Sequence, residues 1–129
     1  MSDLRLGHTF WLGRPAHMYV SILDSEKSGN YSYFVNVTST KSISTVEGRC
    51  VVMISKEEHR IHGHIAFDMG LLFDPAETQV LLKKVRQKKI STDEDMPLKT
   101  VQRIIEGALH HPLTPNLAKA FLKKQGKVD

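Results

Sequence analysis

A chain of 129 residues, 40% hydrophobic and 25% charged, has the size and composition of one globular domain, spanning 1–129. That balance excludes a disordered or fibrous chain, and a net charge of +4 at pH 7 suits a polyanionic partner without requiring one. The lone Cys50 excludes an internal disulfide, no apolar run reaches the roughly 18 residues of a membrane helix, and the opening residues lack the apolar core of a signal peptide. The expectation is a cytoplasmic protein with no membrane contact.

The first part of the chain reads as β structure. Thr9 to Leu12 predicts a short strand, broken by Gly13 and Pro15. Met18 to Leu23, rich in aliphatic and aromatic residues, predicts a second. Asp, Ser, Lys, Gly and Asn between Asp24 and Asn30 make a turn. From Tyr31 to Thr38 the residues alternate, with Tyr33, Val35 and Val37 on one face and Phe34, Asn36 and Thr38 on the other. Ser39 to Thr45 is polar and reads as a loop, Arg49 to Ile54 predicts a fourth strand, and Ile65 to Met69 a fifth. Phe10 and Trp11 are both assigned to the core, and Cys50, in an apolar run, is read as a buried thiol. Five short strands at this spacing predict a small, curved antiparallel sheet or barrel over 1–72.

From residue 73 to 129 the pattern is helical. Asp74-Pro75-Ala76-Glu77 combines a cap, a proline at the first helical position and the acid of a capping box. Val80, Leu81 and Val85 are expected to form the apolar side of that helix. Lys83, Lys84, Arg86, Lys88 and Lys89 follow as a solvated face or an RNA contact. The acids of Ser91 to Asp95 are read as complementing the positive end of a second helix, which begins near Met96-Pro97 and carries Leu98, Val101, Ile104, Ile105 and Leu109. Thr114-Pro115 repeats the cap-then-proline signal for a third helix bearing Leu117, Phe121 and Leu122. The fold class is therefore α+β, with about three helices expected on one side of the sheet.

Two runs carry the candidate chemistry. Arg14-Pro15-Ala16-His17-Met18-Tyr19 places a cation, an imidazole and a phenol on or just before a strand; Asn36-Val37-Thr38-Ser39-Thr40-Lys41 closes the next. If the strands are neighbours, these groups converge. Metal-free RNA cleavage needs a base for the 2′-hydroxyl, an acid for the leaving oxygen and cations for the phosphorane. Arg14, His17, Thr38 and His59 would supply that catalytic set, with Tyr19, Asn36, Ser39, Thr40 and Lys41 binding substrate. His17 reads equally as a structural imidazole bonded to a backbone carbonyl, and the hydroxyl cluster as an ordinary loop. His59, His62 and His64 match no familiar zinc spacing, so neither a metal nor a cofactor is expected.

The order Gly7-His8-Thr9-Phe10-Trp11, then Arg14-Pro15-Ala16-His17-Met18-Tyr19-Val20-Ser21, then Asn36-Val37-Thr38-Ser39 resembles the small bacterial toxins of the PemK/MazF group. The resemblance covers about residues 5 to 90, and the two helices after residue 92 lie beyond it. It implies an SH3-like barrel, homodimerisation, and a metal-independent endoribonuclease neutralised by a cognate antitoxin, with Arg14 stabilising the phosphate and Thr38 and Ser39 lining the site. The alternative is a non-catalytic barrel module that binds a protein or nucleic acid in a toxin–antitoxin or phage-defence pair.

Overall fold

A computed structural model of the chain describes residues 5–13, 17–40, 50–53, 64–67 and 70–126, with side chains outside 37–67. The strands are β1 (Thr9–Leu12), β2 (His17–Ser21), β3 (Ser32–Thr40), β4 (Cys50–Met53), β5 (His64–Phe67), β6 (Gly70–Phe73) and β7 (Thr92–Asp93). The helices are α1 (Pro75–Arg86), α2 (Leu98–His110) and α3 (Asn116–Gln125). The class is α+β.

All pairings are antiparallel, and the strands run β4-β5-β3-β2-β1-β7, with β6 also on β3. β3 is the spine. Its Phe34–Val37 stretch pairs with β2, while its other edge takes β6 opposite Ser32–Val35 and β5 opposite Thr38–Thr40. β3 thus takes two successive partners along one edge, β6 at its start and β5 at its end. Among the described residues β4 and β7 remain at opposite edges, and the sheet is not closed into a barrel.

The helices cover both faces, not one. Met18, Val20, Tyr33 and Val35 pack with Val101, Ile104, Ile105 and Ala108 of α2 and Ala118 and Leu122 of α3. Phe10 and Phe34, pointing the other way, pack with Leu81 and Leu82 of α1. The run from Tyr33 to Val35 is buried throughout because each face has its own cover.

The Asp74 cap and capping box form as expected: Glu77 N donates to Asp74 Oδ1 at 2.8 Å, and Asp74 N to Glu77 Oε1 at 3.1 Å. The inward stripe of α1 is instead Thr78, Leu81 and Leu82, leaving Val80 54% exposed. Thr78 turns inward because its hydroxyl meets the buried Ser32 hydroxyl at 2.8 Å. In α3 the buried positions are Ala118 and Leu122, with Leu117 exposed. Its N-cap is Pro115, without a side-chain hydrogen bond, rather than the expected Thr114.

Residues 91–95 do more than precede a helix. Thr9 and Phe10 pair with Asp93 and Thr92, and Arg5 forms an ion pair with Asp95 at 2.9 Å. Met96 N donates to Gly7 O at 2.7 Å. A Cβ on Gly7, whose φ is +81°, would lie 2.6 Å from Met96 O, so this crossing of two backbones needs glycine.

Candidate functional site

Antiparallel register decides which side chains share a face, since directly opposed residues point the same way. Leu12 opposes His17, while Phe10 opposes Tyr19, which in turn opposes Asn36. His17, Tyr19 and Asn36 therefore lie on the face that α1 covers elsewhere. His17, first in β2, is exposed. Tyr19 is half-buried; its ring stacks on Phe10 with centroids 6.3 Å apart and meets Phe34 edge-on at 5.8 Å. Phe34 in turn holds Phe10 and Phe73 at 5.0 and 4.8 Å. The phenol thus stands on a rigid aromatic base.

Asn36 is half-buried, but its Oδ1 is sealed from solvent and has no hydrogen-bond partner among the described residues. An unsatisfied buried acceptor costs about 1–3 kcal/mol. The carboxamide lies where β3 passes from β6 to β5 along one edge.

Three of the expected site residues, His17, Tyr19 and Asn36, are brought to one face. Thr38, expected to end the strand, and Ser39 and Thr40, expected in a loop, all belong to β3, opposite Ala66, Ile65 and His64. Arg14, Lys41 and His59 lie outside the described residues, as does His62; so do the side chains of Cys50 and His64. Trp11, expected in the core, is 38% exposed because it opposes Met18 on the other face, near the β7 edge.

Sequence reasoning passed over two features. His8 is 5% exposed, its ring meets Phe10 edge-on at 6.1 Å, and its Nδ1 has no hydrogen-bond partner. Burial, aided by the Arg5 charge and opposed by Asp95, holds its pKa below the ordinary imidazole value. The second feature is an apolar groove of about 280 Å³, lined by Leu12, Phe73, Val80, Leu81 and Ile90, with Glu77 and Lys84 at its rim. The alternation Phe10-Trp11-Leu12 placed Leu12 on this face, but only the fold brings Phe73 and Ile90 to it. Among the described residues no group of three His, Cys, Asp or Glu side chains is placed to hold a metal ion, and no helix is long and apolar enough to cross a membrane.

No family model, curated protein or solved structure matches this chain.

Proposed function

We propose that this chain is a PemK/MazF-like toxin: a metal-independent endoribonuclease that binds single-stranded RNA across His17, Tyr19 and Asn36. The observation that carries the reading is the strand register, which sets an exposed imidazole, a braced phenol and a half-buried carboxamide on one face. β3 shared by β2 on one edge and by β6 and β5 on the other suits an SH3-like barrel opened along one side. In this mechanism His17 takes the proton of the 2′-hydroxyl and the 2′-oxygen attacks phosphorus. The P–O5′ bond then breaks, leaving a cyclic phosphate, while His59 protonates the departing oxygen. Arg14 and the Thr38 hydroxyl stabilise the phosphorane, and Tyr19 and Asn36 are among the groups that bind the substrate. A cognate antitoxin and a second copy of the chain are the expected protein partners.

The test is cleavage of a mixed-sequence RNA in EDTA, alongside growth on induced expression. Wild type should cleave and inhibit growth; His17→Ala and Arg14→Ala should lose both, with Tm within a few degrees of wild type. Full activity in both variants would overturn the assigned site. The exposed Leu98, Leu113 and Leu117 favour a second reading, a non-catalytic module that binds a protein. On that reading wild type itself leaves the RNA intact.

A further inference from the structure

The groove between α1 and the ends of β1 and β6 adjoins the His17 face. Leu12, in its lining, is the register partner of His17, and opposed residues have Cα atoms about 4.5–5.5 Å apart. Its lining is apolar and its volume of about 280 Å³ falls just under the range of drug-sized ligand sites, about 300–1,000 Å³. One planar base fits such a space better than an entire nucleotide.

Charge is arranged along the groove. Glu77 and Lys84 lie seven residues apart on α1, or about 10 Å along the helix axis. Glu77 is tied into the capping box at one end, whereas Lys84 begins a cationic end continued by exposed Lys88 and Lys89. A phosphate is repelled at the first end and attracted at the second.

The helix terminus supplies an independent observation. Lys89 N donates to Lys84 O and Lys88 N to Val85 O, at 2.9 and 3.0 Å, which is the Schellman arrangement. The left-handed position of that motif normally takes glycine. Here it is Lys88, at φ 58°. The chain accepts backbone strain and keeps an exposed cation four residues beyond Lys84 of the groove lining and two before Ile90.

We infer that this groove is a subsite for one unstacked base of single-stranded RNA, whose flanking phosphates lie over Lys84, Lys88 and Lys89. It rests on the RNA reading above and extends that site by a nucleotide. The apolar floor stacks or packs any base, so the subsite fixes position without choosing sequence.

Anisotropy of 5′-fluorescein decauridine, titrated with the full chain at several salt concentrations, tests this. Because His17→Ala leaves the groove intact, the titration is run in that background to prevent cleavage. Val80→Glu, a change at an exposed position, should weaken binding about tenfold by closing the groove with a negative charge. Lys84→Glu with Lys88→Gly and Lys89→Glu should weaken it at least about tenfold and flatten the log K against log salt slope by about two. Lys124→Glu on α3 is the charge control and should bind as its parent does. Parental affinity in the groove variants would overturn the subsite while leaving the RNA reading standing; no binding by any form would overturn both. Capture of an acidic Leu/Glu amphipathic peptide without competition from decauridine would overturn the subsite in favour of a protein ligand.

Discussion

At Lys88 the backbone conformation and the proposed phosphate contact make opposite demands on the residue. A non-glycine residue in the left-handed region carries steric strain that glycine avoids. Lys88→Gly should therefore stabilise the fold by about 0.5–1 kcal/mol in urea unfolding, while weakening RNA binding. A residue retained only for the turn would show the first effect without the second. His8 makes a prediction of the opposite kind. Burial lowers its pKa in the folded state, so the unfolded chain binds the proton more readily. Stability is then complete above the unfolded value and is lost as pH falls below about 6.5. Thermal melts between pH 7.5 and 5.5 should show Tm falling on acidification, and His8→Phe should remove most of that fall. Nothing in the Gly7-His8-Thr9 string marks His8 as buried. Its environment comes from Phe10 and from a segment some 90 residues away.

At the scale of elements, α1 is fastened to the sheet by apolar packing and by a buried hydroxyl pair, Ser32 with Thr78. Thr78→Val leaves the Ser32 hydroxyl buried without that partner and should cost about 1–3 kcal/mol. Adding Ser32→Ala should restore part of the loss, a coupling measurable by a double-mutant cycle in urea. The start of this helix was legible because cap, proline and acid are local chemistry. Its inward face was not, since Val80 and Thr78 exchange places once a buried hydroxyl waits on β3. β7 escaped for a related reason: two residues among acids carry no periodic signal, and their strand geometry comes from β1. In the site, the sequence set His17, Tyr19 and Asn36 on two strands that converge if adjacent; the pairing and register that put them on one face come from the fold. The groove was hidden because its walls come from three elements and the turn after α1.

For the molecule as a whole, placing helices on both faces changes the standing of the C-terminal third. The buried sequence Tyr33-Phe34-Val35 already carried that message, since a strand with one wet face alternates and this one does not. α2 and α3 are half of the core rather than an appendage. Truncation after residue 93 should expose Met18, Val20, Tyr33 and Val35 and abolish the cooperative thermal transition seen by circular dichroism. Retention of a sharp transition would contradict this packing. Time of synthesis adds a further consequence. The hydroxyl of Thr9 bonds the Glu94 carbonyl 85 residues onward, and the Gln125 side chain clamps Ile22 and Asp24 from 103 and 101 residues away. A growing chain makes β1 and β2 first but acquires their outer seals last. At about 5–20 residues per second the aromatic first strand waits several seconds with an open edge. Until those last residues emerge from the ribosome, the nascent chain is at its most exposed to aggregation.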